Sequence, residues 1–279
     1  MKPTRPTTAV AAILALFLSP FTFAAEKPAL PPGEPQAKQR LETSPRHGEM
    51  VDVEMPGGGT KIKSWVVFPE VRENAPVVIV IQEIFGLSDW IRSVADQLAA
   101  EGFIAIAPDL LSGKGPGGGG TSAFEGRDAV TQAVRALKPD EVKAMLDAVR
   151  EYGMKLPASN KKTATIGFCW GGAASFRYAT QQPGLSAAVV YYGTSPEGGY
   201  EAIKAPVLGL YGQNDQRVNA TIDPAKQKMQ AAGKQYTPRI YDGAGHGFLR
   251  QQGGQNGANQ KASEQAWPET VKFLKENLK

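Results

Sequence analysis

The sequence predicts an α/β fold, a mostly parallel sheet with helices on both faces and an antiparallel hairpin at its N-terminal side. Two observations carry this expectation. From residue 76 onward, short runs that are apolar at every position alternate with amphipathic stretches, the pattern of strands buried on both faces between helices. Before that, M-V-D-V-E-M and I-K-S-W-V-V-F flank P-G-G-G-T, which reads as a hairpin. A chain of 279 residues, 42% hydrophobic and 21% charged, is ordinary globular composition.

The first residues have a basic start (Lys2, Arg5), an apolar run from Ala9 to Leu18, the breaker Pro20 and small residues at Ala24 and Ala25. That is the layout of a secretory signal peptide over 1–25. The apolar run is too short for the roughly 20 residues of a spanning helix. Export to the periplasm or the medium is therefore expected, with no stable membrane anchor after cleavage. Cleavage would remove two of the 31 basic residues, leaving 29 against 27 acidic ones. Nucleic-acid binding gains no support from so small an excess.

Residues 26–47 are rich in proline and charge and show no apolar period, so an extended, poorly ordered leader is expected. A folded domain follows over 48–279. Its strand candidates after the hairpin are 76–81, 103–107, 164–168, 187–192, 207–211 and 238–241. Helix candidates lie near 88–101, 138–154, 171–182, 223–233 and 262–277. One domain of about 230 residues fits this pattern better than two.

In such sheets, chemistry gathers at the C-terminal ends of the strands. Glu83, Cys169, Asp215 and His246 each follow a strand candidate. Cys169 is the one cysteine in the chain, so no disulfide forms within a monomer. A buried, inert thiol is the ordinary reading of a free cysteine. Its setting, G-F-C-W-G at 167–171, argues otherwise, because glycine, nucleophile and glycine across a strand-to-helix turn form a nucleophile elbow. The glycines permit the tight turn, and the helix N-terminus favours thiolate.

A thiol nucleophile needs a base, and the chain has two histidines. His47 adjoins the leader, whereas His246 sits in G-A-G-H-G-F after the last strand candidate. The histidine needs an acid to orient it. Asp215 follows the penultimate strand and suits the order nucleophile, acid, histidine; Asp242 is the competitor and reads more naturally as a turn residue.

On Q-E-I-F-G-L (82–87), A-P-D-L-L (107–111), G-F-C-W-G-G (167–172), Y-G-Q-N-D (211–215) and G-A-G-H-G-F (243–248), the chain resembles the dienelactone hydrolases (carboxymethylenebutenolidases) of the α/β-hydrolase superfamily. The resemblance runs from about residue 48 to 277. Cysteine at the elbow together with E-I-F-G is its specific part. It implies a Cys169, His246, Asp215 triad, with Glu83 taking part in activating the thiol when substrate binds. It implies an oxyanion hole from the N–H groups of Ile84 and Trp170, and Arg250 as partner of a substrate carboxylate. Phe85, Trp170 and Tyr192 are candidates for touching substrate, and Trp90 and Phe168 for pocket walls. Gly247 stands where the family often has serine, and the sequence places no second substrate-binding arginine.

The expected activity is hydrolysis of an ester or lactone, a dienelactone-type enol-lactone by resemblance. A general esterase, thioesterase or acyl transferase on the same triad is the nearest alternative, and a non-catalytic binding protein on a hydrolase scaffold is another. No cofactor and no metal are expected, and the protein is expected to act as a monomer. G-K-G-P-G-G-G-G (113–120) lacks the Lys-Ser or Lys-Thr of a phosphate loop and reads as a flexible loop near the site, a candidate lid. Asp109, after Pro108, reads as a structural turn residue.

Overall fold

The computed structural model describes residue 1 and residues 29–70 and 73–279. The expected signal peptide lies outside these residues. Among them, no helix is long and apolar enough to cross a membrane.

Eight strands form one sheet: β1 (Gly48–Val53), β2 (Ile62–Val67), β3 (Ala75–Ile81), β4 (Ile104–Pro108), β5 (Ser159–Phe168), β6 (Ala187–Tyr191), β7 (Val207–Gly212) and β8 (Tyr236–Tyr241). Their spatial order is β1-β2-β4-β3-β5-β6-β7-β8. β2 runs antiparallel to both β1 and β4, and the remaining neighbours are parallel. Among the described residues there are eight α-helices: α1 (Ala37–Glu42), α2 (Asp89–Ala100), α3 (Gly126–Ala136), α4 (Pro139–Lys155), α5 (Trp170–Gln181), α6 (Gln216–Asn219), α7 (Ile222–Ala231) and α8 (Ala258–Asn277).

The continuous apolar runs are explained by two cores, one on each face. In β3, Val78 and Val80 join Leu98 of α2 and Trp267 of α8, while Val77, Ile79 and Ile81 join Leu146 of α4 and Phe176 of α5. Successive side chains point to opposite faces, so a strand covered on both sides is apolar at every position.

Strand order also decides where the site can form. The chain leaves β3 for β4 on one side and returns to β5 on the other, which makes the C-terminal ends of β3 and β5 a topological switch point. Ile81 is in register with Gly167, so Glu83 and Cys169 each lie two residues beyond one paired row.

The leader departs from expectation. Residues 29–46 carry a short helical turn and α1, and they dock on the domain instead of trailing from it. Ala37 is buried against the α2 side of the sheet. The Trp90 indole donates to Pro32 O at 3.1 Å, and Ser44 and Arg46 both donate to the buried Asp96. The strap is held mainly by hydrogen bonds to the finished domain rather than by an apolar face of its own, so it shows no hydrophobic period. α3 was also missing from the sequence pattern: only Val130 and Val134 of its residues are buried.

Leu98→Ala is expected to destabilise the protein by about 3 kcal/mol, the usual scale for emptying a fully buried leucine site. Urea unfolding measures it, and a loss below about 1 kcal/mol would contradict the packing of α2 on the sheet.

Candidate active site

β5 ends and α5 begins at a single residue, Cys169, whose backbone sits at φ 56° and ψ −113°. A non-glycine residue is strained there, and the surrounding structure must hold it in place. Two glycines do so. A Cβ on Gly167 would overlap the carbonyl of Gly171, and one on Gly171 would overlap the carbonyls of Ile81 and Gln82. Backbone cannot yield as a flexible side chain could. Without those side chains, the first turn of α5 lies directly against the end of β3, and the loop carrying Glu83 and Ile84 comes beside the thiol. The Cys169 N–H is anchored to Tyr191 O at 3.0 Å.

The half-exposed thiol opens into a cleft of about 390 Å³ lined by Ile84, Arg135, Trp170, Tyr192, Arg217 and His246, among others. An adjoining chamber of about 210 Å³ shares Trp170, Ala173 and Thr194 with it, and continues between Leu137, Val142 and Leu146. Ile84 N–H makes no backbone hydrogen bond among the described residues. Trp170 is the first residue of α5, where a helix leaves its N–H groups without intrahelical partners. Both therefore suit the expected oxyanion role.

His246 and Asp215 meet as expected, with Nδ1 and Oδ2 2.5 Å apart. Asp215 is 7% exposed and His246 35%. With Nδ1 given to Asp215, Nε2 is the nitrogen left for the thiol. Tyr192 packs edge-on to the imidazole with ring centroids 5.2 Å apart. Burial alone would lower the histidine's pKa, but the Asp215 hydrogen bond and the Cys169 sulfur beside it outweigh burial, and the imidazole is pushed up to about 9. Asp242 is exposed in a turn. His47 lies just before β1, exposed beside Glu49 and stacked on Phe68.

Glu83 is buried, 3% exposed. Burial pushes its carboxyl above the usual range, opposed first by Arg250 and then by the charge of His246. Arg250 Nε lies 2.7 Å from Glu83 Oε2, and its Nη1 reaches Glu34 Oε2 at 2.5 Å. Arg250 and Phe85 stand outside the lining of the thiol cleft. The guanidinium groups of Arg127 and Arg250 both lie over the Phe85 ring, 4.8 and 5.0 Å from its centroid.

Of the expected pocket aromatics, Trp170 and Tyr192 line the cleft. Trp90 and Phe168 are core residues packed edge-to-face. The glycine-rich loop is no lid over the thiol: Gly113, Gly118 and Gly120 line a separate depression with Asp52, Thr60 and Lys63. Asp109 is structural, accepting from Leu111 N, Thr121 N and the Thr121 hydroxyl. Sequence reasoning missed Glu34, Arg127, Arg135 and Arg217. Two of these lie on the unforeseen α3, and Glu34 lies on a strap without periodicity.

A model of the dienelactone hydrolase family matches residues 62–278. The chain belongs to the dienelactone hydrolase family. It is 33% identical over 208 residues to a Salmonella typhimurium protein described as "Putative carboxymethylenebutenolidase", covering 70% of this chain and 76% of that one. It is likewise 33% identical to Protein usf of Aquifex pyrophilus, over 83% of this chain and 99% of the relative. Among solved structures, a Klebsiella pneumoniae protein described as "Putative Dienelactone Hydrolase" superposes with a TM-score of 0.73 at 26% identity, over 83% of this chain and 99% of its own. The fold is thus the α/β-hydrolase fold, and family membership supports an ester or lactone hydrolase. Among the described residues, no cluster of His, Cys, Asp or Glu could hold a metal ion.

The elbow makes a prediction about backbone space. Gly171→Ala is expected to lower activity by at least about 100-fold, since a displaced α5 moves the helix N-terminus and thiol together. Steady-state kinetics with an aryl ester measures it, and an active, folded variant would refute the packing argument.

The histidine makes a prediction about pH. Its pKa is raised above the unfolded 6.5, so its pairing with Asp215 stabilises the fold fully below that pH. That contribution is lost as pH climbs through about 9. Asp215→Asn should therefore lower the melting temperature more at about pH 6 than at about pH 10. NMR titration should find the His246 pKa lower in this variant and in Cys169→Ser; an unchanged value in both would refute the pairing.

Proposed function

We propose that the protein hydrolyses carboxylic esters or lactones through an acyl-enzyme on Cys169. The observation that carries this reading is the strained Cys169 at the mouth of a cleft that it shares with His246, the imidazole itself being held by Asp215. The sulfur attacks the carbonyl carbon as a thiolate, its proton resting on His246. The oxyanion accepts hydrogen bonds from Ile84 and Trp170 N–H. The carbon–oxygen bond then breaks, and His246 returns the proton to the leaving oxygen, which stays tethered if the substrate is a lactone. Water, deprotonated by His246, attacks the thioester, and the acid leaves with the thiol restored.

Glu83 is the second proton-accepting group beside this machinery. Its raised pKa and its ion pair with Arg250 support the activating part that the resemblance implies for it. The chamber between Leu137, Val142 and Leu146 suits an apolar substituent on the substrate. Its chemistry gives the general-ester reading a place beside the enol-lactone one. Export remains part of the proposal and rests on residues 1–25.

Cys169→Ala is expected to lose at least about 1,000-fold in kcat/KM toward an aryl ester. Rapid quenching of the wild type followed by peptide mass spectrometry should find the acyl group on Cys169. Turnover by Cys169→Ala at the wild-type rate would sink the mechanism.

A further inference from the structure

The carboxylate of Glu34 is brought to Arg250, the partner of Glu83, by a segment outside the sheet. Its Oε2 meets Arg250 Nη1 at 2.5 Å, and its Oε1 meets a guanidinium nitrogen of Arg127 in the first turn of α3. The two guanidinium groups lie against Phe85, one residue after Ile84. Two arginines converging on one carboxylate, against an aromatic ring and next to the buried Glu83, have the construction of a carboxylate-binding seat.

The strap does not need that carboxylate to stay in place. Glu34 N–H donates to Arg250 O at 3.0 Å, Gln252 donates to Pro31 O at 2.9 Å, and Trp90 donates to Pro32 O. The backbone is thus docked on both the main chain and side chains of the domain. The acidic side chain is presented to the arginines by a segment already held.

We propose that Glu34 is a specificity-determining residue, an internal carboxylate filling the seat made by Arg250 and Arg127, so that a substrate carboxylate reaching this seat from the neighbouring cleft must displace it. The inference deepens the hydrolase reading above and rests on it for turnover, though not for binding. An uncharged ester or lactone meets no such competition. Arg135 and Arg217 line the thiol cleft, are exposed, and have no ion-pair partner among the described residues. They are the guanidinium groups left for a negative charge carried further out on a substrate. Arg250 is therefore shared between two carboxylates of the protein itself, and its freedom to take a third depends on Glu34 moving off.

The test compares an enol-lactone bearing a free carboxylate with its methyl ester, in the full-length wild type and in Glu34→Gln, which keeps side-chain length and the backbone anchors. The ratio of kcat/KM for acid over ester should rise by about ten-fold or more, the scale of one charge-assisted hydrogen bond. Arg127→Ala added to Glu34→Gln should bring the ratio back toward wild type. A second arm uses benzoate binding to Cys169→Ala protein by calorimetry, which should tighten by about the same factor when Glu34→Gln is added. This arm needs no turnover, so it stands even if the hydrolase reading falls. An acid-to-ester ratio and a benzoate affinity both unchanged within about two-fold would overturn the proposal, as would an equal fall for both substrates. Benzoate binding that depends on Arg217 and is indifferent to Glu34 would overturn it as well.

Discussion

The site depends on one backbone contact, the seating of Gly171 against the carbonyls of Ile81 and Gln82. Because no side chain intervenes, α5 starts against the end of β3 and Cys169 is held at positive φ with its thiol facing outward. The same contact places Ile84 and Trp170 on one cleft, since one follows β3 and the other follows the elbow. Register completes the arrangement. Ile81 pairs with Gly167, and Phe168 with Tyr191, so the residues that continue past those strands meet above one edge of the sheet.

Two chains of charge lead away from this point. Asp215 fixes the His246 ring and offsets the burial that would otherwise favour its neutral form. On the other side Glu83, buried and disposed to protonate, leans on Arg250, which in turn leans on Glu34 and, through it, on Arg127. The first chain is local to the ends of the last strands. The second ties the neighbourhood of Cys169 to the N-terminal strap and to α3, elements that contribute little to either core, so the electrostatic setting of Glu83 depends on parts of the chain outside the packed sheet.

Most of the fold was legible because strands buried on both faces read as uninterrupted apolar runs, as in β3 and β6. Cys169, His246 and Asp215 were legible as a candidate constellation for a different reason: each follows such a run, and a single cysteine and a single well-placed histidine leave few pairings. The failures share a cause. The strap at 29–46 and α3 bury few apolar side chains, and the loop at 113–120 is mostly glycine, so periodicity is silent about where they pack. Arg250 was visible as a charge near the base, but its two carboxylate partners were not, because Glu34 is separated from it by most of the chain.

By itself, the sequence determined the class of fold, the family and the placing of Glu83, Cys169, Asp215 and His246 just past strand ends, because these follow from local pattern and from residue types at fixed short spacings. Only the tertiary structure decided which carboxylates share Arg250, which aromatic residues face the cleft and which are core, and that the leader docks on the domain and reaches Arg250. Those outcomes are contacts between residues far apart in the chain, and strand order and docking, which no local period records, bring them together.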